Sequence, residues 1–146
     1  MYKLFHPLFH LFFQKTRLLN KELNAVLKSY HLFSSQWTII FCVEKHGEMS
    51  LTEIWKYLNV EAPTITRTVN RLCELGWLTV VPSEDKREKI VKLSDEGLER
   101  YPEIAATIQR FEQEYLQAFT PEECEQLMQL LNKVNFQSEQ NSISRL

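Results

Sequence analysis

Residues that begin and end helices lie close together between Ser50 and Gly76, and they strongly constrain the secondary structure of this stretch. Ser50 and Glu53 have the spacing of a capping box, in which each side chain accepts a hydrogen bond from the other residue's backbone amide. The turn 59–61 ends that first short helix. A second helix is predicted from Ala62 to about Leu75, because a proline stands in its first turn and a glycine at its end. The stretch therefore predicts a helix-turn-helix.

The next segment predicts a β-hairpin. Leu78–Val81 and Lys89–Leu93 are short and rich in β-branched residues, and a run of charged residues, Glu84 to Lys89, separates them. Such segments favour strands, and the charged run favours an exposed tip. A helix-turn-helix followed by a two-stranded hairpin is a winged helix-turn-helix.

Helices are predicted on both sides of this motif. Apolar residues recur at helical spacing, and cap residues mark the starts. The predicted helices are about Phe5 to Ser29; a helix capped by Ser34 or Ser35 and ending near Gly47; Ser94 to about Ala118; and one beginning at Thr120-Pro121-Glu122-Glu123 with the stripe Leu127, Leu130, Leu131 and Val134. The fold class is therefore mainly α (α+β), in a single domain of residues 1–146, with the winged motif at about 34–97.

Composition narrows the function. A chain of 146 residues with a net charge of -2 has no overall basic character that would indicate a nucleic-acid partner, so local surfaces must decide. Three widely spaced cysteines form no zinc motif and fit a reducing cytoplasm. The sequence shows no signal peptide, membrane span or catalytic motif. We predict a cytoplasmic protein that is not an enzyme and has no cofactor or metal site.

The second helix of the motif has two different faces. On a helical wheel Ile65, Val69 and Leu72 fall together and should face the core. The opposite side carries Pro63, Thr64, Arg67, Asn70 and Arg71. Threonine and proline suit thymine methyl groups, and arginine suits guanine or phosphate, so this face is a candidate for the major groove. The alternative is an ordinary solvated helix face.

Residues 51–97 resemble the MarR family of bacterial winged-helix regulators. The resemblance rests on Asp85-Lys86-Arg87 in the wing, then Val91-Lys92-Leu93-Ser94 and Gly97, and on Pro63-Thr64-Ile65-Thr66-Arg67 upstream. The resemblance is specific over about Ser50 to Gly97. In the rest of the chain it consists only of the same order of predicted helices and strands.

The resemblance implies roles for individual residues. Arg87 would enter the minor groove, and Asp85 would hold its guanidinium group by a bidentate pair. Lys86 and Lys89 would meet phosphates. The remaining implied DNA contacts lie on the second helix of the motif: Pro63, Thr64, Thr66, Arg67, Asn70 and Arg71.

This chain departs from the family pattern at three places. Thr79 and Val80 stand where the family usually has an arginine at the start of the wing. Trp55 replaces a small alanine, and a large ring there can alter the angle between the two helices or turn to the surface. Glu61 stands where Ser or Asp commonly caps the recognition helix.

Family members are symmetric dimers built from N- and C-terminal helices, here about 1–30 and 98–137. The predicted interface residues are Phe5, Leu8, Phe9, Phe12, Leu127, Leu131 and Val134. The implied function is sequence-specific binding of double-stranded DNA by a homodimer. It would repress at a pseudo-palindromic operator and be released by a small-molecule effector.

Two alternatives remain open. The acidic net charge and the missing wing arginine suit a winged-helix module that binds protein, with weak or no DNA binding. A metal-responsive regulator would use His6 and His10, which are spaced i, i+4, with His31, Glu44 and His46 as the other candidates.

Overall fold

The computed structural model describes residues 5–85 and 87–135. They form two compact units, and the boundary falls inside the fifth helix, between Ile108 and Gln109. The elements are, in order, α1 (Pro7–Leu27), α2 (Ser34–His46), β1 (Met49–Ser50), α3 (Leu51–Leu58), α4 (Ala62–Glu74), β2 (Leu78–Val80), β3 (Ile90–Leu93), α5 (Asp95–Leu116) and α6 (Pro121–Leu131), with a short 3₁₀ turn at Lys28–Tyr30.

Three of the predicted helix caps are present. Ser50 Oγ accepts from the amide of Glu53 at 3.1 Å, and the Glu53 carboxylate accepts from the amide of Ser50 at 3.1 Å. Thr120 and Glu123 make the same reciprocal pair at the start of α6. Ser94 Oγ accepts from the amide of Gly97 at 2.9 Å. These caps satisfy amides that have no partner inside the helix, which is why the sequence marks the helix starts so clearly.

The predicted cap of α2 is wrong. Phe33 is the N-cap residue, and Ser34 is already the first helical residue. The Gln36 side-chain oxygen accepts from the amide of Phe33 at 2.9 Å, and Asn24 Oδ1 accepts from the amide of Ser34 at 2.7 Å. Since amide side chains from outside the cap position satisfy both donors, α2 needs no serine hydroxyl there.

The wing belongs to a three-stranded antiparallel sheet with the order β1-β3-β2. The hairpin of β2 and β3 was predicted, with Val80 paired to Val91. The third strand was not, because β1 is only the pair Met49–Ser50, too short for an alternating pattern. It ties the start of α3 to the wing: beyond the pairing of Ser50 with Ile90, the amide of Leu51 donates to the carbonyl of Lys89 at 3.0 Å.

The core of the first unit lies under the helix-turn-helix. Ile65, Val69 and Leu72 are buried on the inner face of α4, as the helical wheel predicted. Burial of one such aliphatic side chain stabilises the fold by about 1.5–3 kcal/mol. Trp55 is partly buried and packs against this core, so its ring is neither fully exposed nor deep between the helices.

The first part of α5 joins this core through aromatic residues. The rings of Trp37 and Tyr101 stack with their centres 5.4 Å apart. Burial, together with the charge and hydrogen bond of Glu44, raises the pKa of Tyr101 to about 12. The phenol therefore stays protonated at neutral pH, and the stacking of its ring on Trp37 links α5 to α2.

The end of α4 meets the start of α5 at a very close approach. Trp77 is buried, its carbonyl accepts from the amide of Ser94, and the guanidinium carbon of Arg100 lies 4.4 Å from the centre of its ring. A Cβ atom at Gly97 would collide with the backbone carbonyl of Trp77. This glycine is therefore required by space, in a helix where alanine would otherwise be preferred.

Gly97→Ala is expected to lower the free energy of unfolding by about 1–3 kcal/mol, because the backbone must move to admit the methyl group. At an open helix position the same change raises stability by up to about 1 kcal/mol. The sign therefore tests the contact, and urea denaturation followed by circular dichroism measures it. A midpoint equal to or above that of the unaltered chain would contradict it.

In the second unit α6 is shorter than predicted. It ends at Leu131, and the amides of Lys133 and Val134 donate to the carbonyls of Leu130 and Leu131 in tight turns. Val134 is exposed but lies beyond the helix, so it does not continue the apolar stripe as predicted. The turns close because each amide reaches back three residues instead of four.

Candidate nucleic-acid interface

The outer face of α4 carries every residue predicted for it. Pro63, Thr64, Thr66, Arg67, Asn70 and Arg71 are all exposed. The Thr66 hydroxyl donates to the carbonyl of Ala62 at 3.1 Å. Thr66 therefore offers a partner only its methyl group and its hydroxyl lone pairs, a chemistry that suits thymine in the major groove.

The two arginines on this face differ in how they are held. Arg71 Nη1 lies 3.0 Å from Glu74 Oε2, and both side chains are well exposed. Among the described residues, the contact of the Arg67 guanidinium is the 3.5 Å one between its Nη2 and Thr64 Oγ1. An exposed ion pair adds little to the stability of the fold, about 0–1 kcal/mol. It nevertheless places the negative charge of Glu74 beside the Arg71 guanidinium, and in the described residues Arg67 has no such acidic partner. Arg67 is thus the more available guanidinium group.

The wing loop shows Asp85 in a different role from the predicted one. Its Oδ1 accepts from the backbone amide of Arg87 at 3.0 Å, and its own amide donates to Ser83 Oγ at 3.2 Å. Within residues 5–85 and 87–135 no ion pair joins Asp85 to the guanidinium of Arg87. An aspartate carboxylate can accept from the backbone amide two residues later and so close a turn. That amide is nearer to the carboxylate along the chain than the guanidinium group at the end of the arginine side chain. Asp85 still supports the wing, through its backbone.

Lys89, predicted to meet phosphate, makes a contact within the protein that the sequence did not predict. It is half-buried, and its Nζ donates to Oδ1 of Asn70 at 2.7 Å. Lys89 directly precedes β3, at the base of the wing, so this side-chain hydrogen bond joins the wing base to the outer face of α4. Arg87 is exposed at the tip, as predicted, and Lys86 lies outside the described residues.

The described residues give no support to a metal centre. Among them, no three histidine, cysteine or acidic side chains come together as a metal site would require. His46 Nδ1 is instead within 2.8 Å of the Cys42 carbonyl, and its ring meets Tyr57 edge-on. Burial raises the pKa of the Cys42 thiol, which disfavours the reactive thiolate.

Two apolar surfaces remain exposed, one in each unit. Phe5, just before α1, is 86% exposed, and Leu8, Phe9 and Phe12 follow it on one side of that helix. In the second unit Leu127, Leu131 and Val134 are exposed. Contiguous apolar surface of this kind is typical of an interface. In the described part of the chain, no helix combines the length and apolar character needed to cross a membrane.

Fold and surface together define a class: a winged helix-turn-helix protein whose second motif helix and wing are exposed side by side. Residues 32–89 match the family model described as MarR family. The uncharacterized HTH-type transcriptional regulator YwoH of Bacillus subtilis is 46% identical over 118 residues, which cover 81% of this chain and 86% of that protein. The chain belongs to the MarR family and is a DNA-binding transcriptional regulator, as the resemblance implied.

Solved structures agree with this assignment. A mutant MarR of E. coli in complex with operator DNA matches with a TM-score of 0.79 and 27% identity, over 88% of this chain and 93% of that one. The Staphylococcus aureus MarR in complex with salicylate and kanamycin matches with a TM-score of 0.76 and 26% identity, over 88% and 87%. The predicted fold class is confirmed, with the third strand added.

Proposed function

We propose that this regulator is a homodimeric repressor that binds a pseudo-palindromic operator and is released by a small-molecule effector. The observation that carries the proposal is the outer face of α4, where Arg67 and Asn70 are exposed beside the wing base. Helices of this kind read base edges in the major groove, and a dimer presents two of them about one helical turn apart. As a repressor of transcription it would act in the cytoplasm.

In this proposal the groove contacts divide between two arginines. Arg67 reads a base from the outer face of α4, with Thr64, Thr66 and Pro63 nearby, while Arg87 tracks minor-groove width from the wing tip. The apolar surfaces around Phe9 and Leu131 are covered by the second subunit. Release by a small aromatic acid is supported by analogy to the Staphylococcus aureus relative solved with salicylate.

Selection of bound duplexes from a random DNA pool by the full chain tests the proposal. We expect an enriched motif of two inverted half-sites with centres on the order of 10 bp apart. The salt dependence of binding to that motif reports the number of phosphates contacted. Absence of any enriched motif, together with no retardation of random DNA at low salt, would instead support a winged-helix module that binds protein.

A further inference from the structure

The hydrogen bond between Lys89 and Asn70 connects two elements that are expected to read different grooves. Lysine has donors only, so the atom of Asn70 that faces it at 2.7 Å must be the amide oxygen. The orientation of the Asn70 amide is thereby determined. Its nitrogen, which carries two donors, is left for a partner outside the protein.

Lys89 is held at both ends. Its backbone carbonyl accepts from the amide of Leu51, at the start of α3, and the carbonyl of the next residue, Ile90, accepts from Val81 across the hairpin. Its side chain then reaches α4. The charge of Lys89 also acts on Cys73, one turn further along α4. Burial raises the pKa of the Cys73 thiol, and the positive charge of Lys89 partly offsets that rise. Lys89 thus lies where the wing meets both motif helices.

This arrangement changes what Asn70 can recognise. A free asparagine amide suits adenine, because it donates to N7 and accepts from the exocyclic amino group N6. Here the accepting oxygen already has an ammonium group 2.7 Å away, whose positive charge disfavours the approach of a second donor. Guanine presents only acceptors, O6 and N7, on its major-groove edge. The amide nitrogen of Asn70 and the adjacent ammonium are both donors and match that edge.

We propose that Lys89 is a positioning residue that fixes Asn70 as a hydrogen-bond donor, so that α4 selects guanine over adenine at the base facing Asn70. The inference rests on the proposed function, in which α4 enters the major groove. It replaces the simpler role of Lys89 as a phosphate contact and makes the wing base part of base selection.

Lys89→Met tests the proposal, since it removes the charge and the donor but keeps most of the apolar stem. Lys92→Met is the matched control, because Lys92 is exposed on β3 and, in the part of the chain that the structure describes, makes no side-chain hydrogen bond to α4. Random-pool selection is run on both variants, and Asn70→Ala identifies the base that faces Asn70. At that base we expect the guanine-to-adenine preference to fall by about tenfold in Lys89→Met and to stay unchanged in Lys92→Met.

A second measurement does not need DNA. The side-chain amide resonance of Asn70, assigned by its loss in Asn70→Asp, should shift in Lys89→Met and not in Lys92→Met. If Lys89→Met only weakens binding and flattens the salt dependence, with the guanine-to-adenine preference unchanged, Lys89 is a phosphate contact and the inference is wrong. If the unaltered chain enriches no motif, the proposed function fails and the inference fails with it.

Discussion

Replacing Phe9 and Phe12 together with glutamate is expected to give a monomer that binds the selected operator roughly 100-fold more weakly or worse. Both side chains are large, apolar and exposed on one side of α1. Two carboxylates in an interface that excludes water would each have to be desolvated without a partner, which costs several kcal/mol. Losing the second subunit also removes bivalent binding, which raises affinity about 10²–10⁴-fold. Light scattering gives the mass, and electrophoretic mobility gives the affinity.

Gln14→Glu is the matched control. Gln14 lies on α1 opposite Phe9 and Phe12 on the helical wheel, and its substitution adds a negative charge to the same helix. It should leave the dimer intact. Deletion from Thr120 onward removes α6 with Leu127 and Leu131 and is expected to give a monomer, an aggregate or an unfolded chain. A well-folded dimer of either the double variant or the truncation would show that the corresponding surface is not the interface.

The helices could be predicted from the sequence where local chemistry decides them. Ser50 and Glu53 are three residues apart, and their reciprocal bonds depend on nothing distant. The burial of Ile65, Val69 and Leu72 follows from helical spacing alone. The caps of α3, α5 and α6, the inner face of α4 and the wing hairpin were therefore predicted correctly, and the order of the elements predicted the fold class.

The predictions that failed depend on geometry that spacing does not determine. Asp85 and Arg87 are two apart, a separation that suits both an ion pair and a turn closed on the backbone, and the structure shows the turn. Phe33 caps α2 because Gln36 reaches back to it, although phenylalanine itself has no acceptor. A pattern of residue types cannot choose between such alternatives when the same spacing allows both.

The junction of wing and helix could not be found from the sequence at all. Lys89 and Asn70 are separated by 19 positions, and each looks like an ordinary exposed polar residue. Only the folded hairpin brings them together, and β1, two residues long, helps to hold it there. Long-range contacts between common surface residues leave no local signal.

Arg67→Ala and Arg87→Ala are expected to weaken operator binding in two different ways. Arg67 lies on the outer face of α4 with only a long contact to Thr64, so it is free to fork onto a base. Its loss should cost about 1–3 kcal/mol and relax the preference at one position in each half-site. Random-pool selection with Arg67→Ala should therefore give a motif with one less specific position in each half-site. The salt dependence of binding should stay nearly the same as that of the unaltered chain.

Arg87 should behave differently because it is exposed at the tip of the wing and does not lie on the outer face of α4. Narrow minor grooves in A·T-rich DNA attract arginine by their electrostatic potential and not by base identity. Arg87→Ala is expected to weaken binding, to lower the salt slope by about one and to remove any preference for A·T-rich flanks, with the core motif unchanged. A changed core motif in Arg87→Ala, with only a uniform loss of affinity in Arg67→Ala, would mean that these roles are exchanged.

The Asp85 variants then test how the wing tip is supported. Because Oδ1 of Asp85 accepts from the backbone amide of Arg87, Asp85→Asn keeps an equivalent acceptor and should keep most of the affinity. Asp85→Ala removes that acceptor and should show a milder form of the Arg87→Ala defect, since the guanidinium is still present on a loop that is less well held. Salt titrations of all three variants on one operator measure the difference. If Asp85→Asn binds as weakly as Asp85→Ala, the carboxylate acts through its charge on the guanidinium in the DNA complex, and the turn on the backbone is not what the wing requires.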